Sequence, residues 1–225
     1  MIADWPCPAV GEGEVCEYAL SFDQGRPHRL LIVPPLFDEA NRLRRLLAET
    51  MRRLDGAGID SFLPDLPGCN ESTQPLPAQD LAAWSRAMIA AARHFRASHV
   101  LAVRGGALVA PQSLPGWRYA PVNGATILRQ MLRMRILALR EAGREETQAG
   151  LIERGIAQGL ELAGYALSAG MIAQLQSATP PDETAQSIIG QDMMGGPALW
   201  LRAEPDEDPA QADALAVVIA VGIKA

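Results

Sequence analysis

The run Arg29-Leu-Leu-Ile-Val33, stopped by Pro34-Pro35, carries four consecutive apolar side chains and no alternation. A strand reads this way when helices cover both of its faces and neither meets water. Downstream, Asp38–Asp55 places Leu43, Leu46, Leu47, Met51 and Leu54 on one helical stripe, with Arg42, Arg45, Arg52 and Arg53 outside it. Gly56 and Gly58 end that helix. Ile59–Leu63 is a second strand, followed by the loop Pro64–Ser72. A helix over Pro77–Arg96 turns Leu81, Trp84, Met88 and Ala92 inward, and His99–Val103 is a third strand. Strands and amphipathic helices in this alternation predict a doubly wound, mostly parallel α/β sheet with right-handed crossovers.

The flanking segments are assigned from the same patterns. Two edge strands precede the run, Val15–Ser21 being the clearer, split by a turn at Gly11–Gly13. Gly105-Gly-Ala-Leu-Val-Ala110 is expected to open a further helix and Trp117–Pro121 to be a fourth strand. Residues 124–176 read as a helical cap-like segment, with Ile127, Met131, Leu132 and Leu139 on one side. Residues 177–196 read as a loop, Ala198–Ala203 as the last strand and Pro209–Val221 as the last helix. The segment between Gln176 and Pro197 is short for another strand–helix–strand unit, so the sheet is expected to be truncated near the C-terminus.

The chain has 225 residues, 48% of them apolar, and a mean hydropathy of +0.03. These values describe one soluble domain, 1–225, with a core large enough to need no disulfide or metal. Cys7, Cys16 and Cys69 are odd in number and lack metal-ligand spacing, which fits a reducing, cytoplasmic setting. The start, Met1–Val10, has no basic or apolar leader pattern, and no apolar run is long enough for a membrane span. A net charge of −6 and a pI of about 5.1 argue against nucleic acid as partner.

Charge is unevenly distributed. Residues 117–144 hold Arg118, Arg129, Arg133, Arg135, Arg140 and Arg144 against Glu141 alone. Residues 180–213 hold Asp182, Glu183, Asp192, Glu204, Asp206, Glu207, Asp208 and Asp213 against Arg202 alone. Two readings stand: the two segments attract each other as solvated faces, or residues 118–144 bind an anion or a protein partner.

Several motifs occur in a fixed order. Pro34-Pro35-Leu36-Phe37 follows the first central strand, Asp65-Leu-Pro-Gly68 the second, and Arg104-Gly-Gly106 the third. This order resembles the α/β-hydrolase superfamily, whose oxyanion loop, Asp-x-Pro-Gly loop and nucleophile elbow these would be. Pro35-Leu-Phe37-Asp-Glu39-Ala-Asn41-Arg-Leu-Arg44-Arg45 is similar to the opening motif of the exosortase-A-associated hydrolases of the second type. Leu66-Pro-Gly68-Cys69, Pro121-Val-Asn-Gly124, Arg129-Gln-Met-Leu132-Arg133-Met-Arg135, Gly164-Tyr165 and Leu199-Trp200…Glu204 extend the likeness over about residues 30–215. The resemblance implies a bacterial protein encoded beside exopolysaccharide and exosortase genes and, by the family's name, a hydrolase. An unorthodox ester or thioester hydrolase, a binding protein for an anionic or acyl ligand, and a non-catalytic interaction partner are the three readings.

The residues depart from that chemistry. An acyl hydrolase of this fold needs a nucleophile at the elbow, a carboxylate after a later strand and a histidine after the last strand. Arg104 stands at the elbow, and a guanidinium stays protonated and cannot attack a carbonyl. His28, His94 and His99 all precede the elbow in sequence. Cys69 and Ser72, in the loop after the second strand, are the remaining nucleophile candidates, each with a bland reading as a packed thiol and a turn hydroxyl. Arg104, Gly105, Gly106, Leu36, Phe37, Glu39, Asn41 and Asp65 are the candidate ligand-binding residues, clustered where open α/β sheets place ligands. Arg104 is expected either to pair internally with Glu39 or Asp65 or to hold a small anionic or acyl ligand against helix-opening amides. No phosphate loop, metal spacing or dinucleotide fingerprint occurs, so no cofactor or metal is expected.

Overall fold

The computed structural model describes residues 1–182 and 184–224; Glu183 of the acidic segment lies outside them. Strands β1 (Ile2–Pro8), β2 (Glu14–Phe22), β3 (Arg29–Val33), β4 (Asp60–Pro64), β5 (His99–Val103), β6 (Gly116–Tyr119) and β9 (Gln186–Ile189) form one sheet in the order β1-β2-β4-β3-β5-β6-β9. Strands β4, β3, β5, β6 and β9 run parallel, and the β1–β2 hairpin adds antiparallel against β4. Every residue of β3 and β4 is buried; the apolar run of β3 predicts this, whereas β4 also buries Asp60 and Ser61.

The two faces follow from strand alternation. Leu30, Ile32, Leu101 and Val103 pack against α1 (Asp38–Gly56) and α7 (Pro209–Lys224). Leu31, Val33, Phe62, Val100 and Ala102 pack in the opposite core, which takes Trp84, Met88 and Ala91 of α2 (Leu81–His94). All five apolar residues of the predicted α1 stripe are buried. Helix α2 begins later than the sequence predicts because Asp80 caps it, accepting from the Ala83 amide at 2.6 Å.

Four expectations need correction. The elbow opens no α-helix: Arg104–Leu108 is a single 3-10 turn, after which Pro111 and Pro115 interrupt the chain before β6. The 124–176 segment is not wholly helical. It contains α3 (Gly124–Glu141), α4 (Gln148–Gln158), the hairpin β7 (Leu160–Leu162)–β8 (Tyr165–Leu167) and α5 (Ala169–Ser177). Ala163 and Gly164 both hold positive φ, 49° and 83°, the requirement of a two-residue hairpin turn. Residues 177–196 are not all loop, since they supply edge strand β9 and the short helix α6 (Gln191–Met194). Ala198–Ala203 is no strand: Leu199–Leu201 is a 3-10 turn that buries Leu199 and Trp200 and leaves Leu201 exposed. No described helix is long and apolar enough to cross a membrane.

Candidate functional site

The carboxyl ends of β3 and β5 meet at the centre of the sheet. After β3, Pro34-Pro35 halt the ladder and Phe37 adopts φ 56°, an unusual value for a bulky residue, so that Asp38 and Glu39 open α1. After β5, Arg104 adopts φ 53° at a sharp turn. Such residues persist where their surroundings over-determine them, and they cluster at functional sites. Gly106 allows the approach: a Cβ there would stand 2.5 Å from the Pro34 carbonyl oxygen and 2.7 Å from that of Val33. At Gly105 it would meet the side chains of Ile127 and Leu36.

Arg104 pairs internally, and its partner is Glu39. Arg104 Nε donates to Glu39 Oε2 at 3.1 Å and Nη2 donates to Oε1 at 3.0 Å, a fork-to-fork pair. Nη1 donates to the Ala120 carbonyl at 2.8 Å, and the guanidinium lies 4.2 Å over the Trp200 ring. Glu39 also sits in the first turn of α1, where the helix dipole favours a carboxylate. Tyr119, in contact with Trp200, donates to Gln191; burial pushes its hydroxyl up to about 12, against the pull of Arg104. The elbow is therefore occupied by a neutralised ion pair.

Asp65 is not the partner. It accepts from Arg44 at 3.1 Å and from Asn70 at 2.7 Å. Neither Gly105 nor Gly106 opens an α-helix, so the expected anion cradle of helix amides is absent.

A cleft of about 390 Å³ lies beside the pair, between the sheet edge and the cap. Its walls are Leu36 and Phe37 from the β3 loop, Ile127, Met131 and Met134 from α3, and Leu201. Asp38, Glu39, Arg42 and Arg202 contribute the charged surface. Arg42 pairs with Asp38 and donates to the Trp200 carbonyl, whereas half-exposed Arg202 pairs, among the described residues, only with Asp206. Phe37 separates this cleft from a second one of about 260 Å³, lined by Pro34, Pro35, Asn41, Cys69 and Tyr165. The candidate ligand residues thus divide: Leu36, Phe37 and Glu39 face the first cavity, Asn41 only the second.

The nucleophile candidates Cys69 and Ser72 both lie in the loop after β4. Burial, with Asp65 and Glu17 nearby, pushes the Cys69 thiol up to about 12, so at neutral pH it is not a thiolate. Ser72 donates to Glu17 at 2.7 Å and accepts from the Gly68 amide at 2.8 Å, a turn-closing role. No histidine can serve either: His28 and His99 sit at the amino ends of β3 and β5, opposite to the elbow, and His94 ends α2. Asp192 does follow a later strand, β9, and sequence reasoning missed it because it missed the strand. Among the described residues it makes no ion pair. Also missed were Trp200 as the surface beneath Arg104, and Met134 and Leu201 as cleft walls. An apolar side chain by itself does not distinguish a cleft wall from core. Among the described residues no group of three His, Cys, Asp or Glu is placed to hold a metal.

No family model matches the chain, and no curated protein matches it significantly. Solved structures do. DcsB in complex with a substrate analogue is similar over 100% of both chains, with 12% identity and a TM-score of 0.54. The α/β-hydrolase GrgF from Penicillium sp. sh18 matches 79% of this chain and 73% of its own, with 14% identity and a TM-score of 0.48. Epoxide hydrolase A from Mycobacterium thermoresistibile shares 15% identity at a TM-score of 0.41 over 55% of this chain, which spans only 39% of that enzyme. The central sheet with its flanking helices is the α/β-hydrolase fold; identities this low show the fold alone.

Proposed function

We propose that this α/β-hydrolase-fold protein is a non-catalytic binding protein for an acyl ligand, working in the exopolysaccharide and exosortase systems whose associated hydrolases its motifs resemble. One observation carries the reading: the position of the nucleophile holds Arg104, locked to Glu39, directly beside a largely apolar cleft. Guanidinium offers no lone pair for attack, and its N–H groups toward the site already serve Glu39 and Ala120. The ligand's acyl chain lies along Leu36, Ile127, Met131 and Met134. An anionic head at its end meets Arg202, the more exposed of the two cleft arginines.

The test is titration with a fluorescent long-chain carboxylate and displacement by unlabelled dodecanoate. Saturable binding that disappears in Met131→Trp, which fills the cleft, is expected, with no ester turnover. Failure of every acyl carboxylate to displace the probe overturns the reading. Turnover of aryl esters or acyl thioesters that Cys69→Ala or Ser72→Ala abolishes makes the protein an unorthodox hydrolase instead.

A further inference from the structure

Among the described residues, no ion pair joins the basic segment to the acidic one. Glu207 pairs with Arg45 and Asp213 with Arg53, both arginines of α1, and Asp206 pairs with its neighbour Arg202. Within the basic segment, Arg118 is buried in β6 and donates to the Pro181 carbonyl, while Arg135 donates to the Glu161 carbonyl and faces Glu146. Arg144, in the turn after α3, also acts on Glu146. What remains is Arg129, Arg133 and Arg140, all exposed on α3 and, among the described residues, in no ion pair.

Their spacing sets them on one stripe. At about 100° per residue, positions 129, 133 and 140 fall within roughly 40° of one another. The cleft-lining Ile127, Met131 and Met134 form a different stripe of the same helix. Leu137, 55% exposed, lies between the two stripes. Met134 and Leu201, which rim the cleft, are also exposed, at 54% and 68%. Glu141 is the one acidic residue of α3, at its last position. A helix that presents arginines along one line, an apolar side chain beside them and an apolar opening next to that has the pattern of an interfacial helix. The protein as a whole is negative, so repulsion elsewhere selects this face for an anionic surface.

We propose that the outer face of α3 docks on an anionic lipid bilayer, with Arg129, Arg133 and Arg140 at the headgroups and Leu137, Met134 and Leu201 turned to the acyl boundary, so that the cleft opens toward lipid. The proposal rests on the acyl-binding reading for the meaning of the cleft, while the docking itself is measured separately. Exposed apolar side chains beside the arginines favour lipid over an acidic protein, which would need the charges alone.

Full-length protein is to be sedimented with vesicles of phosphatidylcholine alone and of phosphatidylcholine mixed with phosphatidylglycerol. Binding to the anionic vesicles only, weakening with added salt, is expected. Each arginine removed lowers vesicle affinity about fivefold, so Arg129→Gln/Arg133→Gln/Arg140→Gln together lower it about a hundredfold. Leu137→Gln also weakens vesicle binding but leaves binding to soluble polyglutamate unchanged. All these side chains are exposed, so the variants should melt as the parent does, and cleft occupancy by the fluorescent carboxylate should persist in the triple variant. Equal binding to neutral and anionic vesicles, no binding to either, or an unaltered triple variant overturns the proposal. Capture by polyglutamate without any vesicle binding overturns it too and gives the face to an acidic protein. Loss of acyl binding with vesicle docking intact would instead remove the function proposed for the cleft.

Discussion

Arg104 and Glu39 hold each other through two parallel hydrogen bonds of 3.1 and 3.0 Å, joining the turn after β5 to the first turn of α1. Both side chains are about nine-tenths buried. The pair ties the turn after β5 to the connection after β3, and the Trp200 ring covers it. A buried pair of this kind adds little net stability compared with apolar residues of the same volume, but breaking it is costly. One charge is then left behind without solvent or partner.

Arg104→Ala and Glu39→Leu should therefore each lower stability by about 3–5 kcal/mol. The double variant should lose clearly less than the sum of the two, since neither charge is then stranded. Denaturant unfolding of all four proteins measures the coupling. Strict additivity would mean that the pair is not an energetic unit.

The two adjacent glycines of the elbow should behave differently. Gly106→Ala pushes a Cβ against backbone oxygens of Val33 and Pro34, which belong to the central strand and its end and cannot move aside. A loss of about 1–3 kcal/mol or more is expected. In Gly105→Ala the new atom meets the tips of Ile127 and Leu36, which can rotate, so the loss should be smaller. Thermal melts rank the two.

Glu17 is wholly buried in β2 and has no cationic partner among the described residues. Its Oε1 accepts from Ser72 and Gln74, while Oε2 accepts from no group. An amide of the same shape keeps both of those bonds without placing a carboxylate in the interior. Glu17→Gln should leave the melting temperature unchanged or raise it. Glu17→Ala, which strands the donors of Ser72 and Gln74, should cost about 1–3 kcal/mol.

The cysteines differ in reactivity by environment. Burial, reinforced by Glu17, pushes Cys7 up to about 12, and burial with Asp65 and Glu17 does the same to Cys69. Cys16 is exposed. Iodoacetamide at mildly alkaline pH should add a single label per folded chain, at Cys16, and three after unfolding. A raised folded value favours the neutral thiol in the native state. The resulting contribution to stability is complete below the ordinary value of 9.0 and is lost as pH rises toward about 12. Fast labelling of Cys69 in the native protein would contradict this placement.

Local chemistry made the α/β sheet legible from residues 29–103 alone. The strands Arg29–Val33 and His99–Val103 are apolar after their first residue because both faces are covered, and α1 declares its buried side through Leu43, Leu46, Leu47, Met51 and Leu54. That Arg104 cannot be a nucleophile is likewise a property of its side chain. Which carboxylate neutralises it was not legible, because Glu39 and Asp65 follow neighbouring strands and both suit a guanidinium. Only the approach of α1's first turn to the β5 turn, permitted by Gly106, gives the pair to Glu39, while Arg44 and Asn70 take Asp65. The later elements, β9 and the β7–β8 hairpin, are three or four residues long and too short to show a period, so packing against β6 and against each other specifies them. The acidic segment's preference for α1 over α3 is of the same origin. Charge composition states that two signs are present, but which of them meet depends on where α7 lies, and it lies along α1.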